Sequence, residues 1–287
     1  MKRPCLRLQL AISAALAVTL LPGAKAHALE LTARSVALPG PPASMCAMAL
    51  DQGGRLAVGS LDFTGSTRVA MTNCDLYNNS GNVDSLEVSG SASLSARDVY
   101  LAGGYSVGGN SSVAVTGAVV TYGAVVQDPY AGLPVPQAAG CDHNNYRLGS
   151  GGSATIAPGV YCGGITVTGG ASLTLQPGTY ILDQGNLSIS GNSTISGQGV
   201  TIVLTSSSGN GYGTIGISGG ATVTLSAPTQ NAALGIPGIV LWEDANAPTA
   251  NASVSGGASQ VITGAIYLPS QQVSFTGGSS VGSSCVQ

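Results

Sequence analysis

The sequence predicts an all-β fold: a right-handed parallel β-helix (β-solenoid) of about nine or more irregular coils, with loop insertions. Three observations predict it: one short phrase recurs nine times, its turns are spaced near twenty residues, and the composition is poor in helix formers and in charge. The phrase sets an apolar or β-branched residue and a Ser or Thr before a Gly-Gly or Gly-Asn turn, then alternates small residues with Val, Leu or Ile. It reads YSVGGNSSVAVTG at 105–117, ITVTGGASLTL at 165–175, LSISGNSTISG at 187–197 and IGISGGATVTL at 215–225. Weaker copies open at Leu61, Leu86, Gly149, Ala252 and Val273. One turn glycine from each copy gives Gly65, Gly90, Gly109, Gly151, Gly169, Gly191, Gly219, Gly256 and Gly277. A coil of this size cannot bury its inner face alone and must stack on a neighbour. Alternation, as at Leu173 and Leu175, puts aliphatics on one face and Ser or Thr on the other. Glycine and asparagine suit the corners because they accept positive φ at little cost. A β-sandwich also alternates short strands with turns, but its strands come without a repeated phrase.

The elements follow in order. Residues 1–28 have the form of a secretory signal peptide: Lys2, Arg3 and Arg7 precede the apolar run from Leu8 to Leu21, and small residues flank a cleavage site at Ala24 to Ala28. Residues 29–287 form a single β-solenoid domain. Breaks in the period mark insertion loops at 127–146, 205–214 and 226–252, the first and last rich in proline. The phrase Pro-Gly-Val-Tyr161 returns as Pro-Gly-Thr-Tyr180, so tyrosines at matching positions of successive coils are expected to stack.

Charge excludes several functions. Only 7% of the 287 residues are charged, against about 25% in an ordinary soluble domain. No basic residue follows Arg147, so nucleic acid finds no electrostatic footprint. Export permits disulfides. With cleavage at residue 28 the mature chain keeps Cys46, Cys74, Cys141, Cys162 and Cys285. Sequence neighbours suggest Cys46 with Cys74 and Cys141 with Cys162, leaving Cys285 unpaired, although spacing alone does not fix connectivity. No Cys-x-x-Cys occurs and His143 is the one histidine far from the leader, so no metal or cofactor is expected.

Several phrases in succession resemble the repeat region of the Tad (Flp) pilus-assembly TadG-like family of bacteria. They are Cys46-Ala-Met-Ala-Leu-Asp51, Cys74, Val107-Gly-Gly109, Asp128-Pro-Tyr-Ala-Gly-Leu-Pro134, Pro158-Gly-Val-Tyr-Cys-Gly-Gly164, Pro177-Gly-Thr-Tyr-Ile-Leu182 and Gly197-Gln-Gly-Val-Thr201. The resemblance runs from about Cys46 to the end. It implies an exported protein of the periplasm, outer-membrane surface or exterior, linked to pilus assembly, adhesion or biofilm, and it transfers no catalytic residue. The von Willebrand type A domain common in such proteins has no counterpart here. Expected partners are pilus or envelope proteins and polysaccharide, with self-association through the ends of the solenoid.

Parallel β-helices also host polysaccharide lyases and glycosidases, whose chemistry needs paired carboxylates roughly 5 to 9.5 Å apart. Beyond Arg147 the acids are Asp183, Glu243 and Asp244. Glu243 and Asp244 are adjacent and point to opposite faces of a strand, and with Trp242 they read as the start of a solvated insertion in which Trp242 could stack on a sugar. His143, in Cys141-Asp-His-Asn-Asn-Tyr146, reads as a surface histidine in a loop. Arg97-Asp98 reads as an outward local pair of little worth. Asp128 before Pro129 starts a turn. Thr-x-Thr at 166–168 and 222–224 raises an ice-binding alternative, but such a ladder needs the pair on nearly every rung and only two occur.

Overall fold

The computed structural model describes residues 45–50, 61–71, 75–131, 133–134, 136–229, 235–277 and 280–283. The leader, and the side chains of Cys46, Cys74 and Cys285, lie outside the described residues. The described chain is all-β, and every strand pairing is parallel. It has the stacked coils of a β-solenoid, each contributing a strand to faces that we label I, II and III.

In chain order, β1 is Met45–Ala49. Three coils follow: β2 (Leu61–Phe63), β3 (Arg68–Met71) and β4 (Asp75–Asn78); β5 (Leu86–Val88), β6 (Ser93–Ala96) and β7 (Val99–Leu101); β8 (Tyr105–Val107), β9 (Ser112–Val115) and β10 (Val119–Val120). After a long connection come β11 (His143–Leu148), β12 (Ser153–Ile156), β13 (Gly159–Val167), β14 (Ser172–Leu175) and β15 (Gly178–Asp183). Then come β16 (Leu187–Ile189), β17 (Thr194–Gly197), β18 (Val200–Thr205), β19 (Ile215–Ile217), β20 (Thr222–Ser226) and β21 (Ile239–Glu243). The last are β22 (Ala250–Val254), β23 (Ser259–Thr263), β24 (Ala265–Tyr267), β25 (Gln271–Phe275) and β26 (Ser280–Ser283).

Rung order is not chain order. Face II runs β12-β14-β17-β20-β23-β26-β3-β6-β9, so the final coil lies against the first one. Face I makes the same jump: Leu61 pairs with Val273 and Phe63 with Phe275. On face III, β4 lies between β7 and β1, which places β1 at the level of β25 and β26. One rung is thus assembled from both ends of the described chain. A junction without a connecting peptide is stable because a coil only needs an apolar neighbour in register, whatever the connectivity.

The rows explain the repeats. On face I, Ile165, Leu187 and Ile215 line one inward row, and Val167, Ile189 and Ile217 a second; all six are buried. The second row passes without a break through Val254, Phe275, Phe63 and Val88 across the junction. The corner after face I is a ladder of left-handed residues, Gly169, Gly191, Gly219, Gly256, Gly277, Gly65, Gly90 and Gly109, each close-packed on the next. The weakest repeat departs by one residue: Ser150, with φ of 55°, takes the ladder position and Gly151 follows it. Just past the corner, the buried Ala171, Ser193, Ala221, Ala258, Thr67 and Ala92 leave no room for a larger side chain, which accounts for the small residue in each phrase.

The expected loops shift. The first insertion spans 121–142, since His143–Leu148 is β11, paired with β13. It is a strap along face III that carries the chain back from the coil of β8 to β10 to the coil of β11. Tyr122 donates its N–H to the carbonyl of Gly103 (2.9 Å), Asn79 exchanges two hydrogen bonds with the backbone of Val126, and Asp142 donates its N–H to the carbonyl of Val160 (3.0 Å). The expected 226–252 insertion contains β21 and the start of β22, leaving shorter loops on either side of β21. The tyrosine ladder is also corrected: Tyr161 is in register with Leu182 and Tyr180 with Gly159, so the two rings are offset along the strand, 5.8 Å apart and tilted. Stacked tyrosines occur instead at Tyr77 and Tyr100, 4.8 Å apart on face III.

The expected Cys141–Cys162 disulfide is present, with a Cα separation of 5.8 Å, and it fastens the end of the strap to β13. Closing a loop of this length is worth about 3 kcal/mol. The double change Cys141→Ser, Cys162→Ser is expected to lower stability by that amount, measured as a shift in denaturant midpoint. An unchanged midpoint would mean that the strap is held by its hydrogen bonds and packing without help from the disulfide.

Candidate functional site

Face II offers a regular array of polar side chains on four successive strands, β12, β14, β17 and β20. Its outward residues come two per strand: Ser153 and Thr155, Ser172 and Thr174, Thr194 and Ser196, Thr222 and Thr224. They alternate with the buried Leu173, Ile195 and Val223, so the strand period itself segregates hydroxyls from core. Neighbours are spaced by about 4.8 Å between rungs and about 6.7 Å along a strand. Thr194 donates to Ser172 across the rungs at 3.0 Å. Ser153, Thr155, Thr174, Ser196, Thr222 and Thr224 make no side-chain hydrogen bond among the described residues. Arg68 is the one charge among the described outward residues of this face. An open groove of about 500 Å³ crosses it, lined by the hydroxyls of Thr174, Ser196, Thr224 and Thr263 together with the apolar Pro177 and Val261. The array was only half legible in the sequence. Counting Thr-x-Thr finds the rung of Thr222 and Thr224 but passes over those written Ser-x-Thr or Thr-x-Ser, while Thr166 belongs to face I.

Each of the three acids beyond Arg147 is engaged in holding a loop or the core. Asp183 accepts the N–H and hydroxyl of Ser207, both at 2.7 Å, and so ties down the 206–214 loop. Asp244 accepts from Thr205 and from the backbone and side chain of Asn246, each at 2.9 Å. Glu243 shares its register position with the core residues Leu204 and Leu182 and is buried. It accepts from Ser270 N–H (2.9 Å) and from the side chain of Gln271 (2.7 Å). Trp242, expected in a solvated loop, lies in β21 between Tyr267 (4.7 Å) and Tyr130 of the strap (6.2 Å), so no sugar can stack on it. Tyr267 donates to Asp128, whose other oxygen accepts Tyr130 N–H in the turn expected there.

Burial pushes the Glu243 carboxyl up from its ordinary range, partly offset by its hydrogen bonds to Gln271 and Ser270. The sign follows: a carboxyl raised on folding costs stability when charged, and that cost fades as pH falls through its folded pKa. Relative to Glu243→Gln, the wild type is expected to gain stability on acidification from neutral pH. A difference between the two melting curves that does not change with pH would show that folding does not shift this carboxyl.

Other sites are more engaged than their sequence suggests. Arg97 bridges Asp98 (3.2 Å) and the buried Asp75 (2.6 Å). Asp98 caps Ala118 N–H, and this bond holds its carboxyl below the usual range. His143 is exposed on β11 with its ring stacked on Tyr161 at 4.7 Å.

Besides Asp75 and Asp98, which share Arg97, the fold brings together a second pair of acids ahead of Arg147. Asp62 of β2 and Glu87 of β5 are register partners on face I. Burial, then the charge of Glu87, raises the Asp62 carboxyl, while a hydrogen bond from Gln272 (3.1 Å) opposes the rise. The sequence hides this pair because a whole coil separates its members. Among the described residues, no group of three or more His, Cys, Asp or Glu is placed to hold a metal. No family model, no curated protein and no solved structure matches the chain.

Proposed function

We propose that this chain is an exported, non-enzymatic structural or adhesive element of the bacterial envelope, a right-handed β-solenoid connected with Tad/Flp pilus assembly. The observation that carries the reading is face II: two rows of hydroxyls over successive rungs, nearly free of charge. Such a surface recognises neutral, hydroxyl-rich polymers by many weak, repeated hydrogen bonds, each worth about 1 kcal/mol net. Affinity then grows with the number of rungs engaged. The engagement of Asp183, Glu243 and Asp244 in loop and core contacts supports a scaffold over a catalyst. The test is a panel of envelope and extracellular polysaccharides passed over immobilised protein comprising residues 29–287. Retention of a neutral polymer, weakened by Thr174→Ala with Thr224→Ala, is the expected result. Absence of retention together with absence of pilus or surface association would overturn the reading.

The Asp62 and Glu87 pair favours one alternative, a carbohydrate-active β-helix enzyme, because two neighbouring carboxyls with one raised are what glycoside hydrolysis requires. That alternative predicts release of reducing sugar from some member of the panel, lost in Asp62→Asn.

A further inference from the structure

The two ends of the coil stack differ in a way that the repeats alone do not explain. At one end, β8, β9 and β10 each pair on one side only, so three parallel edges present unpaired backbone. The inward positions of this coil are open. Val107 is 46% exposed, whereas Val88, its partner one rung below, is fully buried. Val119 and Tyr105 are exposed beside it. At the other end, β11 and β12 also pair on one side only, with Tyr146, Leu148 and Ala154 half-buried.

We infer that these ends are the two halves of one interface, and that copies of this chain stack head to tail, β8 to β10 of one copy on β11 and β12 of the next. The inference is independent of what face II binds. Three observations commit the occupant to a second copy. The inward rows end in equivalent positions: Tyr105 and Val107 close at one end the rows that Tyr146 and Leu148 open at the other, so a second copy continues both rows in register. The chain already makes such a joint, since the coil of β25 and β26 stacks on that of β2 and β3 with no peptide joining one coil directly to the next. Charge also matches: the outward row of face I carries Asp62 and Glu87 near the open apolar end and Arg147 at the other. An edge of three sheets with an apolar interior is a template for further pairing unless capped. A heterologous joint that repeats without rotating to closure gives an open filament.

The experiment is sedimentation velocity on residues 29–287 over a wide range of concentration, with one end blocked at a time. Val107→Asp with Val119→Asp blocks the apolar end, and Ala154→Asp blocks the other; melting curves confirm that each remains folded. Wild type is expected to form chains that lengthen with concentration, and each blocked protein is expected to be monomeric alone. Mixing the two blocked proteins leaves one intact joint, so a one-to-one dimer forms and grows no further. Arg147→Glu, a change at an exposed side chain that leaves packing intact, is expected to shorten the chains, increasingly so at low salt. Dimerisation of the Ala154→Asp protein by itself would mean that the apolar ends meet each other and would overturn the head-to-tail joint. A wild-type protein that stays monomeric at every concentration would overturn it too, and shielding of Val107 in that monomer would assign another segment of the same chain to the apolar end.

Discussion

Ending the chain after Leu268, which removes β25 and β26, is expected to strip residues 61–120 of their amide protection while leaving that of 159–225 largely intact. The removed strands are the only ladder between the coils at 143–267 and those at 61–120 on faces I and II among the described residues. With them go the packing of Phe275 on Phe63, 6.0 Å between ring centres, and the bond from Thr64 N–H to Phe275 O. Residues 61–120 then form three coils open at one end and covered at the other by β1 alone, on face III. Stacked repeats near that number sit at the limit of independent stability, because each coil gains most of its stability from its neighbours. The strap remains attached through the Cys141–Cys162 disulfide and Tyr130, so the loss should stop at that boundary. Hydrogen exchange read by peptide mass resolves it. Full protection of 61–120 in the shortened chain would mean that the three coils fold unaided and that the junction is a contact without consequence for folding.

Replacing Gly185 by valine is expected to cost at least about 4 kcal/mol, near the ceiling for a single change. Gly185 stands at the corner between faces III and I. A Cβ there would lie 2.0 Å from the carbonyl carbon of Gly163 and 2.0 Å from the nitrogen of Gly164, and those atoms are backbone that cannot swing aside. The next coil repeats the constraint at Gly213, whose added Cβ would lie 1.9 Å from Gly185 O. The matched control is Gly216 of β19, which has nothing within 4 Å of its Cβ position and lies in the outward row between Ser188 and Ser253. Gly216→Thr is expected to change stability by no more than about 0.5 kcal/mol, with strand propensity in its favour. Denaturant midpoints of the two variants separate these cases. Equal costs would mean that the loss reflects backbone freedom and not the close approach of coils.

Much of the first corner was legible because its chemistry is local. A residue held at positive φ favours glycine, and apart from Ser150 every ladder position holds one, so eight of the nine turn glycines named from the repeats do form the ladder. The second corner was not legible. Gly185 and Gly213 have no positive φ and are required by the approach of neighbouring coils, and the loops that carry them vary in length, so no fixed spacing marks them. The acid pair was hidden for the same reason: Asp62 and Glu87 meet only because one coil lies on the next. Glu243 and Trp242 were misplaced because proline on both sides of β21 looks like a loop, whereas the strand is held by pairing with β18 and β24 and by the strap across it.

By itself, then, the sequence determined that the chain alternates short strands with tight turns, that the coils stack in parallel, and which residues of each phrase face inward. Those properties depend on φ, on the two-residue strand period and on burial, all of which act within a coil. Only the tertiary structure decided the order of the rungs, because any coil with the same rows can stack on any other. The repeats could not record that β25 meets β2, that β1 sits at the level of β26, or that a proline-rich connection returns along face III.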